Sequence, residues 1–192
     1  MVSRDVIVAV KTALEKMNKK YCRLSQVDYS GIGVNESLSG LLAENKYLER
    51  PFAYEFYHQI RKLMDEGDLD LGGPIIQAEV DKRYQHCFKN GKIPDFILHV
   101  PNTHHNLAVI EFKLATNLGG IKYDLEKLIE FKKNEDLKYT YVIEVIIGNR
   151  APLKSAKEHI KQLNKPRGEE IIIIEFNTDS WRANRSFLNY KA

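Results

Sequence analysis

The hydrophobic positions in the first third of the chain recur at helical spacing. Apolar residues three or four apart follow Asp5, a suitable N-cap, and predict a helix over residues 5 to about 20. Turn formers fill 21–36 and predict a connection, and a second helical pattern covers roughly 37–48. A third helix is predicted over about 51–64, with a proline at its first position.

After Pro74 the pattern changes to short runs rich in β-branched and aromatic residues. Such runs predict strands, here over 75–80, 94–100 and 107–114. The polar segment 101–106 separates the last two strands, so we expect them to form an antiparallel hairpin.

Downstream of the Gly119-Gly120 pair, helical and strand patterns alternate. They predict a helix through Phe131, a strand over 139–147, a helix over 152–163 and a strand over 171–174. The last strand is apolar without alternation, as expected when both of its faces are covered. Together with the hairpin, this order predicts an α/β fold in one domain, with a mixed central β-sheet flanked by helices.

The composition is that of a globular protein rather than a disordered or coiled-coil one, with 43% hydrophobic and 29% charged residues in a chain of 192. A formal net charge of +3 is too small to indicate a nucleic-acid partner by itself. Cys22 and Cys87 match no zinc-ligand spacing and are expected to be reduced thiols. No apolar stretch reaches the roughly 20 residues that a membrane helix needs, and the run near the N-terminus is too short for a secretory signal. We therefore expect a cytoplasmic protein without membrane contact.

The hairpin carries charged residues where an ordinary strand would not. Asp95 follows a proline at the start of the second strand, and Glu111 and Lys113 lie two apart on the third, so their side chains leave the same face. If the turn is centred near residues 103 and 104, Asp95 comes opposite 112–113. The three charged groups should therefore converge at one end of the hairpin.

Such charges are costly between apolar neighbours unless they are paired or bind a metal. Mg²⁺ needs only one or two carboxylates in addition to waters and substrate oxygens. It polarises a phosphoryl oxygen and activates water, while a neighbouring lysine stabilises the charge that develops. The residues therefore favour Mg²⁺-dependent hydrolysis of a phosphodiester, with Mn²⁺ as a substitute cation.

At this point the sequence resembles a known family. Pro94-Asp95, followed after fifteen residues by Glu111-Phe112-Lys113, is similar to the signature of the PD-(D/E)XK nuclease superfamily, the restriction-endonuclease-like proteins. Glu55, on the third predicted helix, matches the acidic residue often found on the first core helix of this family. The segment 124–128 lies where the family carries polar helix residues that face the substrate. The resemblance covers roughly 50–175.

The resemblance implies a role for each residue that matches. Asp95 and Glu111 would bind Mg²⁺ with the backbone carbonyl of Phe112, and Lys113 would position the attacking water or stabilise the transition state. Glu55 would be a further metal ligand or would orient a metal-bound water. In-line attack would leave a 5′-phosphate and a 3′-hydroxyl.

The resemblance also implies an organisation and a partner. Residues 51–176 would form a restriction-endonuclease-like core, 1–50 a helical elaboration and 177–192 a tail. The substrate would be nucleic acid, with DNA favoured over RNA, and the enzyme an endonuclease of defence, repair or mobile-element type. Cutting both strands takes two sites, which is compatible with a homodimer. Lysines on the helix after the hairpin are candidate nucleic-acid contacts, namely Lys122, Lys127, Lys132 and Lys133.

Plainer interpretations stand beside these. The charges of the hairpin form a cross-strand salt bridge in one alternative, and Glu55 simply contacts Gln59 one turn later in another. Glu79 is either a further acidic ligand or the solvated end of the first strand. Trp181 either contacts nucleic acid, together with Arg182 and Arg185, or anchors the C-terminus.

A zinc site built on His99, His104 and His105 is rejected, because no further ligand completes it. At the level of the whole chain, the alternatives are a catalytically silent module of the same fold that binds nucleic acid or a protein, and an unrelated α/β protein.

Overall fold

The computed structural model describes residues 5–22, 47–80, 92–163 and 171–186. Their helices are α1 Val6–Lys16, α2 Lys19–Cys22, α3 Glu49–Asp65, α4 Leu118–Lys133 and α5 Arg150–Leu163. Their strands are β1 Ile75–Ala78, β2 Phe96–His99, β3 Asn106–Leu114, β4 Tyr141–Gly148, β5 Ile172–Asn177 and β6 Arg182–Ser186. The helix predicted over 37–48, apart from its last two residues, and most of the connection before it lie outside the described residues.

The six strands form one sheet in sequence order, β1 to β6. β1, β2 and β3 pair antiparallel, β3, β4 and β5 pair parallel, and β6 returns antiparallel to β5. The parallel pairs follow from the alternation of strand and helix, because α4 and α5 each provide a crossover between parallel neighbours. The prediction of a mixed α/β sheet with helices is confirmed.

The predicted β2–β3 hairpin is present, with a slightly different register. Phe96 pairs with Ile110, and an irregularity after Leu98 brings His99 opposite Asn106. Continuing this register by one residue sets Asp95 beside Glu111, just short of the predicted 112–113. The shift leaves the convergence of the charged ends intact.

The two faces of the sheet pack against different helices. Ile110 and Phe112 join the core formed with α1 and α3, where the rings of Phe112 and Phe56 lie 4.9 Å apart. Val109 faces the opposite way, into the core formed with α4 and α5. Because side chains alternate along a strand, Glu111 and Lys113 leave β3 on the α4 side.

Two helix starts differ from the predicted positions. α3 begins at Glu49, two residues before Pro51, which is tolerated because the first-turn N–H groups have no partner within the helix. α4 begins at Leu118 and takes Gly120 into its first turn, since the side chain of Asn117 accepts a hydrogen bond from the Gly120 N–H at 2.9 Å.

The C-terminal segment corrects a prediction. Residues 182–186 were expected to belong to a tail, but they form β6 on the edge of the sheet. Trp181 packs on Phe176, with ring centroids 4.9 Å apart, and its Nε1–H donates to the Met17 carbonyl at 2.8 Å. Trp181 therefore anchors the C-terminal segment to α1, which is one of its two predicted roles, and the contact with nucleic acid stays a prediction. No described helix is long and apolar enough to cross a membrane.

Candidate active site

The charged ends of the hairpin meet where β2 begins and β3 ends. Asp95 immediately precedes β2, and its Oδ2 accepts a hydrogen bond from the Phe112 N–H at 2.7 Å. Glu111 is 1% exposed on the face covered by α4. Burial and then the charge of Asp95 raise the pKa of Glu111. Burial also raises the pKa of Asp95, whereas the positive charge of Lys113 is among the effects that lower it. The structure therefore brings the three predicted residues together.

Lys113 is held by two carboxylates that were not assigned to it from the sequence. Its Nζ lies 2.8 Å from Glu49 Oε1 and 3.1 Å from Asp124 Oδ2. Burial alone would lower the pKa of Lys113, but its bond to Glu49 and the charge of Asp124 outweigh that effect and raise it. Lys113 is thus a fixed cation at the end of β3, and the simple cross-strand pair with Asp95 or Glu111 is not the arrangement seen.

A second lysine enters the cluster from α4. Lys127 Nζ lies 2.8 Å from Glu111 Oε1 and 3.4 Å from Asp124 Oδ1. Burial opposes its charge, yet Glu111 and then Asp124 raise the pKa of Lys127 above its ordinary value. Asp124 therefore places one oxygen against each of the two ammonium groups, and α4 supplies the counter-ions of β3.

Asp95 and Glu111 are difficult to ionise. Burial is the main reason that the pKa of Glu111 is well above its usual value, and the charge of Asp95 adds to it while Lys127 opposes it. Burial also raises the pKa of Asp95, against the Phe112 N–H and the nearby lysines. An added positive charge would therefore stabilise the ionised forms of both carboxyl groups.

Glu144 is a further buried carboxylate that the sequence analysis did not single out. It lies on β4 directly beside Glu111 in the parallel register and is 0% exposed. Neither of its oxygens has a hydrogen-bond partner among the described residues. Burial, followed by the charges of Asp124 and Glu111, raises its pKa well above the ordinary value. One signal was available in the sequence, because Glu144 is the one charged residue in the apolar run 139–147.

Helix α3 contributes a different glutamate from the one expected. Glu55 is buried, but it accepts hydrogen bonds from the Asn18 N–H at 2.9 Å and from Gln59 Nε2 at 2.8 Å. The assignment of Glu55 to the cluster is therefore corrected, because these bonds tie it to the segment between α1 and α2. Glu49 and Glu55 are six residues apart, roughly 240° around the helix, so they cannot share a face.

The candidate nucleic-acid lysines have distinct surroundings. Lys127 is the internal counter-ion of Glu111, with a side chain only 10% exposed. Lys132 donates to the carbonyls of Tyr139 and Thr140 at 3.2 and 3.1 Å. Both therefore make contacts within the fold, and their role as nucleic-acid contacts stays a prediction. Lys122 and Lys133 are exposed, as the prediction requires.

The remaining candidates lie outside the cluster. Glu79 is exposed directly after β1, in a left-handed conformation with φ 49°, and its N–H donates to the Asp95 carbonyl at 3.0 Å. His99 is buried with its Nε2 2.6 Å from Gln77 Oε1, whereas His104 and His105 are exposed in the turn. Glu79 therefore braces the backbone at Asp95, and its side chain is solvated.

A divalent cation fits the donor set of this cluster, although the protein does not enclose it. Among the described residues, no three histidine, cysteine, aspartate or glutamate side chains form a ready-made cage. Mg²⁺ does not require one, because one or two carboxylates suffice when waters and phosphate oxygens fill the other positions. Asp95 and Glu111, with the Phe112 carbonyl, are the groups that would hold it, and both carboxylate oxygens of the adjacent Glu144 lack a hydrogen-bond donor among the described residues.

No protein-family model, curated protein or solved structure matches this chain. The cluster must be interpreted from its own chemistry. Its fully ionised form would hold two ammonium groups against five carboxylates, those of Glu49, Asp95, Glu111, Asp124 and Glu144. The surplus of negative charge can be neutralised either by protons on the carboxylates or by a bound cation. A bound divalent cation would also be able to act as a Lewis acid.

Proposed function

We propose that this chain is a divalent-cation-dependent nuclease with a restriction-endonuclease-like core, and that it hydrolyses phosphodiester bonds in nucleic acid, with DNA favoured. The observation that carries the proposal is the buried convergence of Asp95, Glu111 and Lys113 on neighbouring strands, with more acid than base around them. The resemblance of the Pro94-Asp95 and Glu111-Phe112-Lys113 segments to the nuclease signature supports the same function.

The acidic and basic side chains of the cluster would have different roles in catalysis. Asp95 and Glu111 would hold Mg²⁺ or Mn²⁺ together with the Phe112 carbonyl. The bound cation would supply a Lewis acid for the phosphoryl oxygen and would lower the pKa of an attacking water. Lys113 would hold that water or neutralise charge on the phosphate, since Glu49 and Asp124 keep it cationic and fixed.

A catalytically silent module of the same fold is the second candidate, and the contact between Lys127 and Glu111 favours it. That lysine already places a positive charge 2.8 Å from the carboxylate that would bind the cation. A protein that had lost its metal could retain such an arrangement for stability alone. This candidate predicts nucleic-acid or protein binding that is indifferent to Asp95 and Lys113.

Cleavage assays with matched variants distinguish the two candidates. Circular DNA, linear duplex, branched DNA, single strands and RNA are incubated with the purified chain and Mg²⁺ or Mn²⁺. We expect cation-dependent cleavage that falls about 10²-fold or more in Asp95→Asn and in Lys113→Met. Lys62→Ala is the control, because Lys62 is exposed on α3 and pairs only at the surface with Glu66.

The products should carry 5′-phosphate and 3′-hydroxyl ends, and circular dichroism should show that the variants are folded. Cleavage that survives unchanged in both variants would contradict the proposal. Salt-sensitive binding without cleavage of any substrate would favour the silent module.

A further inference from the structure

Glu144 is the most poorly compensated polar group among the described residues of the sheet. It is fully buried on β4, and neither carboxylate oxygen has a hydrogen-bond donor. An unsatisfied buried acceptor costs free energy that a leucine or isoleucine at the same position would not. Such a group in a folded protein calls for an explanation, and an ordered water or a bound cation can supply the contact that the protein does not.

The position of Glu144 shows where such an ion would lie. Glu144 is the register partner of Glu111 across the parallel β3–β4 pair, and neighbouring strands are about 4.8 Å apart. Both side chains leave the sheet on the face covered by α4, where Val142 and Ile146, two residues to either side of Glu144, belong to the α4–α5 core. The electrostatic neighbours of Glu144 are Asp124 and Glu111, followed by Lys113 and Asp95.

A proton shared with a neighbouring carboxylate is one way to satisfy the oxygens of Glu144, since a protonated carboxyl group donates one hydrogen bond. A bound cation is the other way, because no described residue donates a hydrogen bond to either oxygen. The two ammonium groups of the cluster form ion pairs with other carboxylates. Lys113 pairs with Glu49 and Asp124. Lys127 pairs with Glu111 and Asp124. A hard divalent cation is a partner that both Glu111 and Glu144 would accept.

We propose that Glu144 is a third carboxylate of the divalent-cation site, and that it acts through a cation-bound water beside Asp95 and Glu111, because no three described acidic side chains form a direct cage. The inference rests on the proposed function for the cation itself, and adds a carboxylate from β4 that the sequence signature does not contain. It explains why an otherwise apolar strand retains one charged residue at the position that faces Glu111.

Calorimetric titration with MnCl₂ of the full chain tests this inference without measuring cleavage. We expect Glu144→Gln, which is isosteric and uncharged, to weaken Mn²⁺ binding at least tenfold. The matched control is Glu175→Gln on β5, since Glu175 is partly exposed and its carboxylate pairs with Lys157 at 3.3 Å. Asp95→Asn is titrated in parallel as the reference for the cation site.

Thermal unfolding with and without Mn²⁺ shows whether Glu144 supports cation binding or only the fold. Mn²⁺ should raise the midpoint of the wild type and of Glu175→Gln, but hardly that of Glu144→Gln. If Glu144→Gln does not fold, Glu144→Asp, which retains the charge but shortens the side chain, is expected to show the same loss of affinity.

The outcomes separate the two proposals. Weaker binding in Asp95→Asn with unchanged binding in Glu144→Gln would overturn the role of Glu144 and leave the cation site standing. An equal midpoint shift on Mn²⁺ addition in the wild type and Glu144→Gln would also overturn it. Absence of Mn²⁺ binding to the wild type would contradict both proposals.

Discussion

Glu55 shows how a residue that matches a family pattern can serve the fold instead. Its carboxylate joins the Asn18 N–H at the start of α2 to Gln59 on α3. We expect Glu55→Ala to reduce the free energy of unfolding by about 1–3 kcal/mol, because it leaves a partly buried N–H without its acceptor. Urea unfolding measures this loss.

Mn²⁺ affinity is the control for Glu55. The titration should give the same dissociation constant for Glu55→Ala as for the wild type. A variant that unfolds normally but binds Mn²⁺ more weakly would return Glu55 to the cation site.

Cys22 is predicted to be inert in the folded protein. It is fully buried at the end of α2, and burial together with the negative charge of Glu55 raises its pKa to about 12. The thiolate, which is the reactive form, is therefore scarce at pH 8.

A thiol-reactive dye tests this in a Cys87→Ser background, so that Cys22 is the one thiol present. We expect negligible labelling at pH 8 in the native state and complete labelling in guanidinium chloride. Rapid labelling of the native protein would show that the segment around Cys22 opens readily.

At the residue scale, the sequence was most informative where the spacing of residues along a strand determines the face on which their side chains lie. Glu111 and Lys113 were predicted to share a face because strand side chains alternate, and Asp95 joined them through the hairpin. Glu49 and Glu144 could not be placed in the same way, because their positions depend on how α3 and β4 pack against β3. Local spacing carries no information on that packing.

The start of α4 determines how closely this element approaches β3. A Cβ on Gly120 would lie 2.8 Å from Lys113 Cδ and 2.6 Å from Asn117 Nδ2, whereas a Cβ on Gly119 would meet nothing within 4 Å. Gly120 thus leaves room for both the lysine side chain and the N-cap. The adjacent glycine provides a natural control.

We expect Gly119→Ala to stabilise the protein by up to about 1 kcal/mol, because alanine is the better helix former. Gly120→Ala should gain nothing or lose about 1 kcal/mol through the disturbed cap, and should slow cleavage by displacing Lys113. Urea unfolding and the cleavage rate provide the two measurements. Equal behaviour of the two variants would show that the contact at Gly120 is unimportant.

β6 and the turn before it hold the far edge of the sheet to α1. Trp181 packs against Phe52 and Phe176 and bonds to the Met17 carbonyl, so its loss should be felt in stability. We expect Trp181→Ala to cost about 3–5 kcal/mol and Trp181→Phe, which mainly removes the hydrogen bond, about 1 kcal/mol. Chemical unfolding measures both.

Nucleic-acid binding provides the contrasting measurement for this residue. Trp181→Phe should bind nucleic acid as the wild type does, with the same dependence on salt concentration. A folded Trp181→Phe variant with much weaker binding would support the predicted contact with nucleic acid.

At the element scale, the sequence predicted the type and order of most elements, because helical and strand periods are distinct. The edge strand β6 was missed, since residues 182–186 mix charged and small residues with little apolar alternation. Its formation depends on pairing with β5 and on Trp181, which is a tertiary effect rather than a local preference.

The whole molecule assembles one charged cluster from elements distant in the chain. Helix α3 supplies Glu49, the hairpin supplies Asp95, Glu111 and Lys113, and α4 and β4 supply the remaining groups. Buried charges are costly unless they are paired and hydrogen-bonded. The proposal of a cation site accounts for the excess of acidic groups in this cluster.

The anomalous scattering of Mn²⁺ in crystals grown with the cation tests whether Asp95 and Glu111 hold a metal. We expect a difference peak on the α4 side of β3, about 2.1 Å from oxygens of Asp95 and Glu111, with Lys113 beside it. A peak elsewhere, or none in crystals with Mn²⁺ at millimolar concentration and Lys127 still paired to Glu111, would contradict it.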